Sequence, residues 1–246
     1  MHKVNLNGFE MLLQGDNYLE QEIIKTGVWE RQTSAVFKEI IQPGMVIVDI
    51  GANIGYFSFL SAILSGPTGS VHAFEPCPEY RKRMLNSLEC NCFDQIRVMP
   101  YALSDKKQQR NLYKGLASAR MEKWTHADPV FNKIHDVIVV DCMTLDDYSS
   151  QNLSRLDVLK IDVDGHEVNV VNGGRNTIEK YKPVIVIELY EPALNDAGTS
   201  VTELLDIFEE LNYVPYSEQG DLCEYELLKD YVISHPERSI NIVLVG

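Results

Sequence analysis

The sequence predicts an α/β protein in which a doubly wound, mostly parallel sheet carries helices on both faces. Short runs of β-branched and apolar residues alternate with longer stretches at helical period. Continuous apolar runs are typical of strands that are covered on both faces, as in parallel sheets. A turn with two glycines follows the first run directly and opens a helix. Strand, helix and strand in repetition imply crossover connections between parallel strands.

The strands are predicted at residues 45–50, 70–74, 96–99, 156–161, 184–188, 213–216 and 240–245. The crossover helices are predicted at 55–65, 78–90, 167–180 and 200–211. The last of these starts at Ser200, and Glu203 three residues later has the spacing of a capping box. Residues 1–43 are expected to form a helical lead-in, with the best helix at 29–41.

The whole chain, 1–246, is expected to be one domain. A cofactor-binding core at 44–190 is followed by a C-terminal helix and strands at 191–246. Residues 104–155 break the alternation and form an inserted rim segment, with β-like stretches at 110–113 and 137–140. Such an insertion can shape a rim over the carboxyl edge of the sheet, where doubly wound folds bind ligands. We expect it to select the substrate, through Arg120, Trp124, His126 or His135, unless these side chains simply belong to a solvated loop.

Composition narrows the function classes. The chain has 246 residues, with 36 acidic and 22 basic side chains, so its net charge is 22 − 36 = −14. A field of this sign repels phosphate backbones and anionic headgroups, so neither nucleic acid nor membrane is an expected partner. No apolar run approaches the length of a membrane span. Five cysteines, an odd number without a CxxC pair, are typical of a reduced cytoplasmic protein.

The strongest chemical signal is the turn after the first strand, residues 48–55. Gly51 permits a tight turn there, and Gly55 lets the following helix pack closely on the strand. The start of that helix is expected to offer unpaired N–H groups to an anionic ligand group. A dinucleotide fingerprint would have a middle glycine for close approach of a pyrophosphate, but Asn53 stands at that position. The pattern therefore favours a smaller carboxylate over a pyrophosphate.

Two acidic residues complete the pattern at the strand ends. Asp49 lies at the end of the first strand, and Glu75 follows the second strand, where a ribose diol is held in this topology. One carboxylate near a cation, one on a ribose and a site for a ligand carboxylate together describe S-adenosylmethionine (SAM) better than NAD.

The sequence resembles the FkbM-type methyltransferases, within the class I SAM-dependent enzymes. The matching blocks run in order through VDIGANIGYFS (48–58), AFEP (73–76), ALSD (102–105), TLD (144–146), LKIDVDGHE (159–167) and VIEL (186–189). The resemblance covers roughly residues 44–190. The similarity to the family is weaker in the lead-in, around Trp29.

The resemblance implies a Rossmann-like, seven-stranded sheet with SAM bound across its switch point and S-adenosylhomocysteine (SAH) as the product. Asp49, Gly51, Asn53 and Gly55 would surround the methionine moiety, and Glu75 would hold the ribose. Apart from the resemblance, Tyr56 is expected to line the cofactor pocket because it follows Gly55. Ala102, Leu103 and Ser104 would border the adenine, and Asp162 would face the amino end of the ligand or the reacting centre. The family mostly methylates hydroxyl groups of sugars and natural products, so a small-molecule or glycan acceptor is expected.

An alcohol is a poor nucleophile, so a base on its proton should accelerate the transfer. The block at 159–167 offers His166, Asp164 and Glu167 for this role. We take His166 as the first candidate, because its ordinary pKa lies near neutrality, and Asp164 as the second. His166 could instead be a first-turn residue favoured by the helix dipole.

Other interpretations stay open. A divalent ion held by Asp164 and Glu188 could also activate a hydroxyl, but two carboxylates are a thin basis for a metal site, which is not favoured. A nicotinamide-dependent oxidoreductase is disfavoured by Asn53. A binding module without catalysis, on the same nucleotide fold, is a third hypothesis. The sequence does not predict the oligomeric state or the acceptor.

Overall fold

The structure, a computed structural model, describes residues 1–6, 8–115, 118–123 and 134–246. The strands are β1 (His2–Asn5), β2 (Glu10–Leu13), β3 (Val46–Ile50), β4 (Ser70–Phe74), β5 (Ile96–Met99), β6 (Ala102–Leu103), β7 (Gln108–Lys114), β8 (Ala119–Arg120), β9 (Asp136–Met143), β10 (Val158–Ile161), β11 (Val184–Leu189), β12 (Val214–Ser217) and β13 (Ile240–Val245). The helices are α1 (Tyr18–Thr26), α2 (Arg31–Ile40), α3 (Tyr56–Ser65), α4 (Pro78–Leu88), α5 (Leu145–Asn152), α6 (Glu167–Gly173), α7 (Arg175–Tyr181), α8 (Glu191–Asp196), α9 (Val201–Glu210) and α10 (Tyr225–Ser234).

A seven-stranded sheet forms the centre of the fold, in the order β12-β13-β11-β10-β3-β4-β5. Pairing is parallel from β11 through β10, β3 and β4 to β5, whereas β13 runs antiparallel to both of its neighbours. The chain enters the sheet at β3, and β4 and β10 lie on opposite sides of that strand. The sheet therefore has a switch point at the carboxyl end of β3, and the predicted doubly wound α/β class is confirmed.

The central strands are buried on both faces, as their continuous apolar runs predicted. Ile47 and Val48 of β3 point to opposite faces of the sheet, and neither is exposed. They belong to two separate apolar clusters, one on each side of the sheet. This two-sided core fixes the strand ends in place and so positions the side chains that follow them.

Three stretches differ from the predictions. The stretch predicted as one helix at 167–180 is two helices, because Gly174 leaves the helical backbone with φ −117° and ψ 7°. The predicted lead-in contains α1 and α2 but begins with the antiparallel β1–β2 hairpin. The C-terminal part has three helices, α8 to α10, where the sequence predicted one.

Residues 102–143 contribute a second sheet, in the order β6-β9-β7-β8. Its main pair, β7 with β9, contains both of the β-like stretches predicted for the inserted segment. Leu112 on its inner face packs with Tyr80 of α4 in a third apolar cluster. We call this four-stranded unit the rim sheet.

A buried ion network ties the lead-in to the rest of the fold. The Arg83 guanidinium on α4 contacts Asp16 at 2.9 Å, Glu20 at 2.8 Å and Glu79 at 2.7 Å. Glu20 is fully buried, and it is held by Arg83 together with the N–H groups of Gln14 and Gly15. The network holds α1 close to the carboxyl edge of the sheet.

No helix in the described residues is long and apolar enough to cross a membrane.

Candidate active site

A cleft opens at the carboxyl ends of β3, β4, β10 and β11, with the lead-in on one side and the rim sheet on the other. The sequence-predicted site residues in its wall are Asp49, Gly51, Asn53, Tyr56, Glu75, Ala102, Leu103, Asp162, Asp164 and His166. The wall also includes Trp29, Glu30, Lys160 and Glu188. Strands distant in sequence thus bring most of the candidates to one place. Gly55 and Ser104 are not lining residues, although their chain neighbours Ile54, Tyr56 and Leu103 are.

The turn after β3 requires its glycines for steric reasons. Gly51 has φ +81°, and a Cβ atom there would lie 1.8 Å from the carbonyl oxygen of Asp162. Gly55 has φ +92°, and its Cβ would lie 2.6 Å from Met84 Cγ on α4. Asn53 has a positive φ of 52°. At Gly51 the backbone that follows β3 therefore lies so close to the end of β10 that no side chain fits between them.

Three N–H groups of the turn that precedes α3 donate to partners within the protein. The N–H groups of Gly51 and Ala52 both donate to the carbonyl oxygen of Phe74 at 3.0 Å. The Asn53 N–H donates to Glu75 Oε2 at 2.8 Å. These donors hold the turn against the end of β4 and are not available to a ligand carboxylate.

Lys160 on β10 supplies a positive group in the wall of the cleft, and it was not among the site residues predicted from the sequence. Its side chain is 3 % exposed, and its Nζ atom donates to Asp162 Oδ2 at 2.8 Å. The Nζ atom also lies 5.1 Å from the centre of the Phe57 ring. Burial opposes the charge, but Asp162, Asp49 and Glu30 hold the pKa of Lys160 above its ordinary value. The lysine is therefore charged at the floor of the cleft.

Asp49 lies beside Lys160 and is fully buried. Its Oδ2 atom accepts a hydrogen bond from Ser58 Oγ at 2.5 Å, and its Oδ1 atom lies 4.0 Å from Lys160 Nζ. Among the described residues, Oδ1 has no hydrogen-bond partner. Burial raises the pKa of Asp49, and Lys160 partly offsets this. A buried oxygen without a donor, in the wall of a cleft, is suited to a cationic ligand group.

Glu75 is held at the end of β4 by two backbone donors. Its Oε2 atom accepts from Asn53 N at 2.8 Å and its Oε1 atom from Cys77 N at 2.7 Å. Each carboxylate oxygen can accept more than one hydrogen bond, so both can still receive a ligand hydroxyl. Burial raises the pKa of Glu75 to about 7. This carboxyl is therefore fixed in orientation, and it takes up and releases its proton near neutral pH.

The lead-in contributes Glu30 and Trp29 to the opposite wall. Glu30 has a positive φ of 41°, and Asn241 Nδ2 donates to its Oε2 atom at 3.3 Å. Burial and the neighbouring Asp162 raise the pKa of Glu30 to about 7. Tyr56 lies on this side too, with its hydroxyl 3.1 Å from Ser34 Oγ. The sequence gives no local signal for Glu30, because only packing of α2 over the strand ends brings it here.

The other end of the cleft is acidic. Asp164 follows β10 in a left-handed conformation with φ +53°. Burial is the larger cause and the charge of Asp162 the smaller cause that raise the pKa of Asp164 to about 6. Glu188 on β11 lies near Asp162 and Asp164, and burial with these charges raises its pKa well above the ordinary value. Arg120 of the rim sheet partly offsets the charge of Asp164.

Arg120 is a buried rim residue and not part of a solvated loop. It is 3 % exposed, donates to the carbonyl oxygen of Ala193 at 3.3 Å and contacts Asp196 at 3.5 Å. His135 is exposed, whereas Trp124 and His126 lie outside the described residues. No group of three His, Cys, Asp or Glu side chains suited to a metal ion occurs in the described ranges.

His166 differs from what its ordinary pKa suggested. The imidazole is 2 % exposed, and its Nε2 atom lies 3.0 Å from Ser104 Oγ. Burial, and secondarily the charge of Arg110, lowers the pKa of His166 to about 4. The reasoning from a near-neutral pKa therefore does not apply in the folded protein. His166 contacts Ser104 and lines the same cleft as Ala102 and Leu103.

Comparison with known proteins agrees with this geometry. Residues 49–215 match the family model of the methyltransferase FkbM domain. The 2-O-methyltransferase NoeI of Sinorhizobium fredii is 26% identical over 197 residues, covering 74% of this chain and 79% of that protein. Methyltransferase sdnD of Sordaria araneosa is 27% identical over 194 residues, covering 63% of this chain and 74% of that protein.

A solved structure, the methyltransferase FkbM of Methylobacillus flagellatus, has the same fold. It is 16% identical with a TM-score of 0.51, over 87% of this chain. This chain spans 50% of the length of that structure. Since the family model extends from the end of β3 to β12, over more than half of the sequence, the chain belongs to the FkbM family of SAM-dependent methyltransferases.

Proposed function

We propose that this protein transfers the methyl group of SAM to a hydroxyl group of a sugar, a glycan or another small natural product. The observation that carries the proposal is the unpartnered Oδ1 atom of fully buried Asp49, next to Lys160 in the wall of the cleft. Opposite charges side by side suit an amino-acid zwitterion, which is the methionine end of SAM.

The residues present fit the cofactor along its length. Lys160 would hold the methionine carboxylate, and Asp49 with Asp162 and Glu30 would hold the ammonium group. Glu75 would hold the ribose hydroxyls, since both of its oxygens are fixed at the end of β4. Gly51 and Gly55 keep side chains out of the turn beneath. When bound, SAM supplies an electrophilic methyl group on a sulfonium centre.

The chain itself supplies position and a base. Bringing an acceptor hydroxyl close to the methyl group removes much of the entropic barrier to the displacement. We assign the base to Asp164, which lines the cleft at the end of β10 and has a pKa of about 6. Such a carboxylate is ionised at neutral pH and is more basic than an ordinary aspartate. Arg120 keeps part of the charge of Asp164 compensated.

The acceptor end favours a neutral polyol. Asp162, Asp164 and Glu188 can accept hydrogen bonds from hydroxyl groups, whereas they would repel an anionic acceptor or a nucleic acid backbone. The similarity to NoeI, whose name gives it as a 2-O-methyltransferase, supports oxygen as the acceptor atom. The rim sheet, including Arg120, would select among such acceptors.

A methyl-transfer assay tests this proposal. The protein is incubated with SAM and a panel of sugars, glycans and hydroxylated natural products, and products are followed by mass spectrometry and NMR. We expect a methyl ether on one hydroxyl, with SAH formed in equal amount, and no product from the matching deoxy compound. Methylation of nitrogen or carbon would contradict O-methylation. SAH binding without turnover on any member of the panel would favour the binding-module hypothesis.

A further inference from the structure

The hydrogen bonds around His166 fix which of its nitrogens carries the proton. Ser104 Oγ donates its single hydrogen to Asp105 Oδ1 at 3.0 Å. A carboxylate oxygen only accepts, so the hydroxyl hydrogen is committed to Asp105. The contact of 3.0 Å between Ser104 Oγ and His166 Nε2 must then have the imidazole as the donor. These two hydrogen bonds therefore set the Nε2–H tautomer of His166, in which Nδ1 has a lone pair.

His166 lines the cleft, and its Nδ1 atom is a buried acceptor. It has no hydrogen-bond partner in the part of the chain that the structure describes. The residue is 2 % exposed and lines the cleft together with Ala102 and Leu103. A buried acceptor without a donor is costly, so a ligand with an N–H or O–H group is expected to complete it.

Within the proposed function, the position of this atom selects the ligand group. Glu75 at the end of β4 would hold the ribose, so the base attached to that ribose lies against the wall formed by Ala102 and Leu103. The ring nitrogens of adenine are acceptors, and its 6-amino group is the only N–H donor on the base. An Nδ1 lone pair is therefore complementary to the 6-amino group alone.

We propose that His166 is an adenine-recognition residue, whose Nδ1 atom accepts a hydrogen bond from the 6-amino group of SAM, and that Ser104 and Asp105 are positioning residues that fix its tautomer. This inference rests on the proposed function. It also explains why a histidine is useful at a site where it cannot act as a near-neutral base. Burial lowers the pKa of His166 to about 4, so the ring stays neutral and Nδ1 keeps its lone pair at physiological pH.

The test compares two ligands that differ at one position of the base. Calorimetry measures the dissociation constants of SAH and of its analogue in which unsubstituted purine replaces adenine, so that a hydrogen atom replaces the 6-amino group. The wild-type protein should prefer SAH by about tenfold or more, because the analogue leaves the buried Nδ1 acceptor without a donor. In His166→Phe the preference should fall to within about twofold.

Two further variants separate recognition from general damage. Glu75→Gln should weaken both ligands by a similar factor and keep the preference, because the ribose is common to both. Asp105→Asn changes an exposed residue, and its amide can donate to Ser104 Oγ. The hydroxyl can then donate to Nε2, Nδ1 gains the proton, and the preference for SAH should fall severalfold towards the analogue.

The outcomes distinguish this inference from the function beneath it. Tight SAH binding with no preference in the wild type, or a preference that His166→Phe leaves unchanged, would overturn adenine recognition by His166 and leave the proposed function standing. Absence of SAH binding to the wild type would overturn both. If circular dichroism shows that His166→Phe is unfolded, the Asp105→Asn variant tests the inference instead. An unchanged preference for SAH over the analogue in that variant overturns adenine recognition by His166.

Discussion

At the scale of single residues, Asp164 and His166 exchange the roles that their ordinary pKa values suggest. Both follow β10, but burial moves them in opposite directions, raising the pKa of Asp164 to about 6 and lowering that of His166 to about 4. Burial disfavours the charged form of either group, which is the negative form of aspartate and the positive form of histidine. At neutral pH Asp164 is the stronger base of the two.

Changing Asp164 to asparagine should therefore remove the base and leave the cofactor site intact. We expect kcat of Asp164→Asn to fall by about 10²–10⁴ with little change in SAH affinity. Asp141→Asn, the same substitution at an exposed position of the rim sheet, should leave kcat unchanged. Steady-state assays and SAH titration of both variants measure this difference.

The pH profile of the wild type gives an independent check. Because the base must be ionised, kcat should fall as pH is lowered through about 6, where Asp164 takes up a proton. If His166 were the base, the fall would instead lie near its pKa of about 4. A profile without inflection near 6, or nearly normal turnover by Asp164→Asn, would contradict the assignment.

Local sequence could identify some site residues and not others. Asp49 and Glu75 were predictable, because each directly follows or ends an apolar run in the expected strand order. Lys160 could have been found as a lysine inside such a run, where a buried charge demands a partner. Glu30 could not, since its place in the cleft depends on a contact with Asn241, 211 residues away in sequence.

At the scale of elements, the turn between β3 and α3 is the part that tolerates least change. Gly51 has a positive φ of 81° and no room for a Cβ atom, whereas Gly27 at the end of α1 has φ +75° and nothing within 4 Å of a Cβ. The two glycines share a backbone conformation and differ in steric environment. They form a matched pair for separating strain from collision.

Gly27→Ala should lower the free energy of unfolding by about 1–2 kcal/mol, the cost of a left-handed conformation for alanine. Gly51→Ala should lower it by about 3 kcal/mol or more beyond that, because the Cβ collides with the backbone of Asp162. Urea denaturation measures both values. Equal losses in the two variants would show that the close approach of β3 to β10 is wrong.

The bounds of several strands were predicted where a turn residue delimits the apolar run. Strands 70–74, 96–99 and 240–245 have the predicted bounds, since Gly69 precedes the first, Pro100 follows the second and Gly246 follows the third. The break at Gly174 was missed, since helical periodicity continues on either side of it. The β1–β2 hairpin was missed although Met11 and Leu13 alternate with less buried residues, a strand signal too short to stand out.

At the scale of the whole molecule, the acidic side chains that give the net charge of −14 lie in two different environments. Most acidic side chains are on the surface, but several carboxyls converge on the cleft, where burial raises their pKa values. Each of them is stabilised in its neutral form by the fold. The empty protein is therefore expected to become less stable as these groups ionise.

Glu75 shows most clearly in which direction pH changes the stability of the protein. Its pKa is about 7 in the folded protein, against an ordinary value of 4.5, so its stabilising contribution is full below about 4.5 and is lost as pH rises to about 7. The free energy of unfolding of the wild type, relative to Glu75→Gln, should fall by roughly 3 kcal/mol between pH 4.5 and 8. Urea denaturation across that range measures it.

Glu79→Gln is the matched control, because Lys114 lowers the pKa of Glu79 and its contribution is lost only at acidic pH. The difference between the wild type and that variant should be flat from pH 6 to 8. A flat profile for Glu75→Gln as well would show that Glu75 is not buried as the structure has it.

The most direct measurement on the central claim, that this cleft is a SAM site, is calorimetric titration with SAH and with NAD⁺. We expect one SAH per chain with micromolar affinity, no binding of NAD⁺, and SAH binding at least about tenfold weaker in Asp49→Asn, where the buried carboxylate next to Lys160 is replaced by a neutral amide. Binding of NAD⁺ in place of SAH, or SAH affinity unchanged by Asp49→Asn, would contradict the assignment of the cleft.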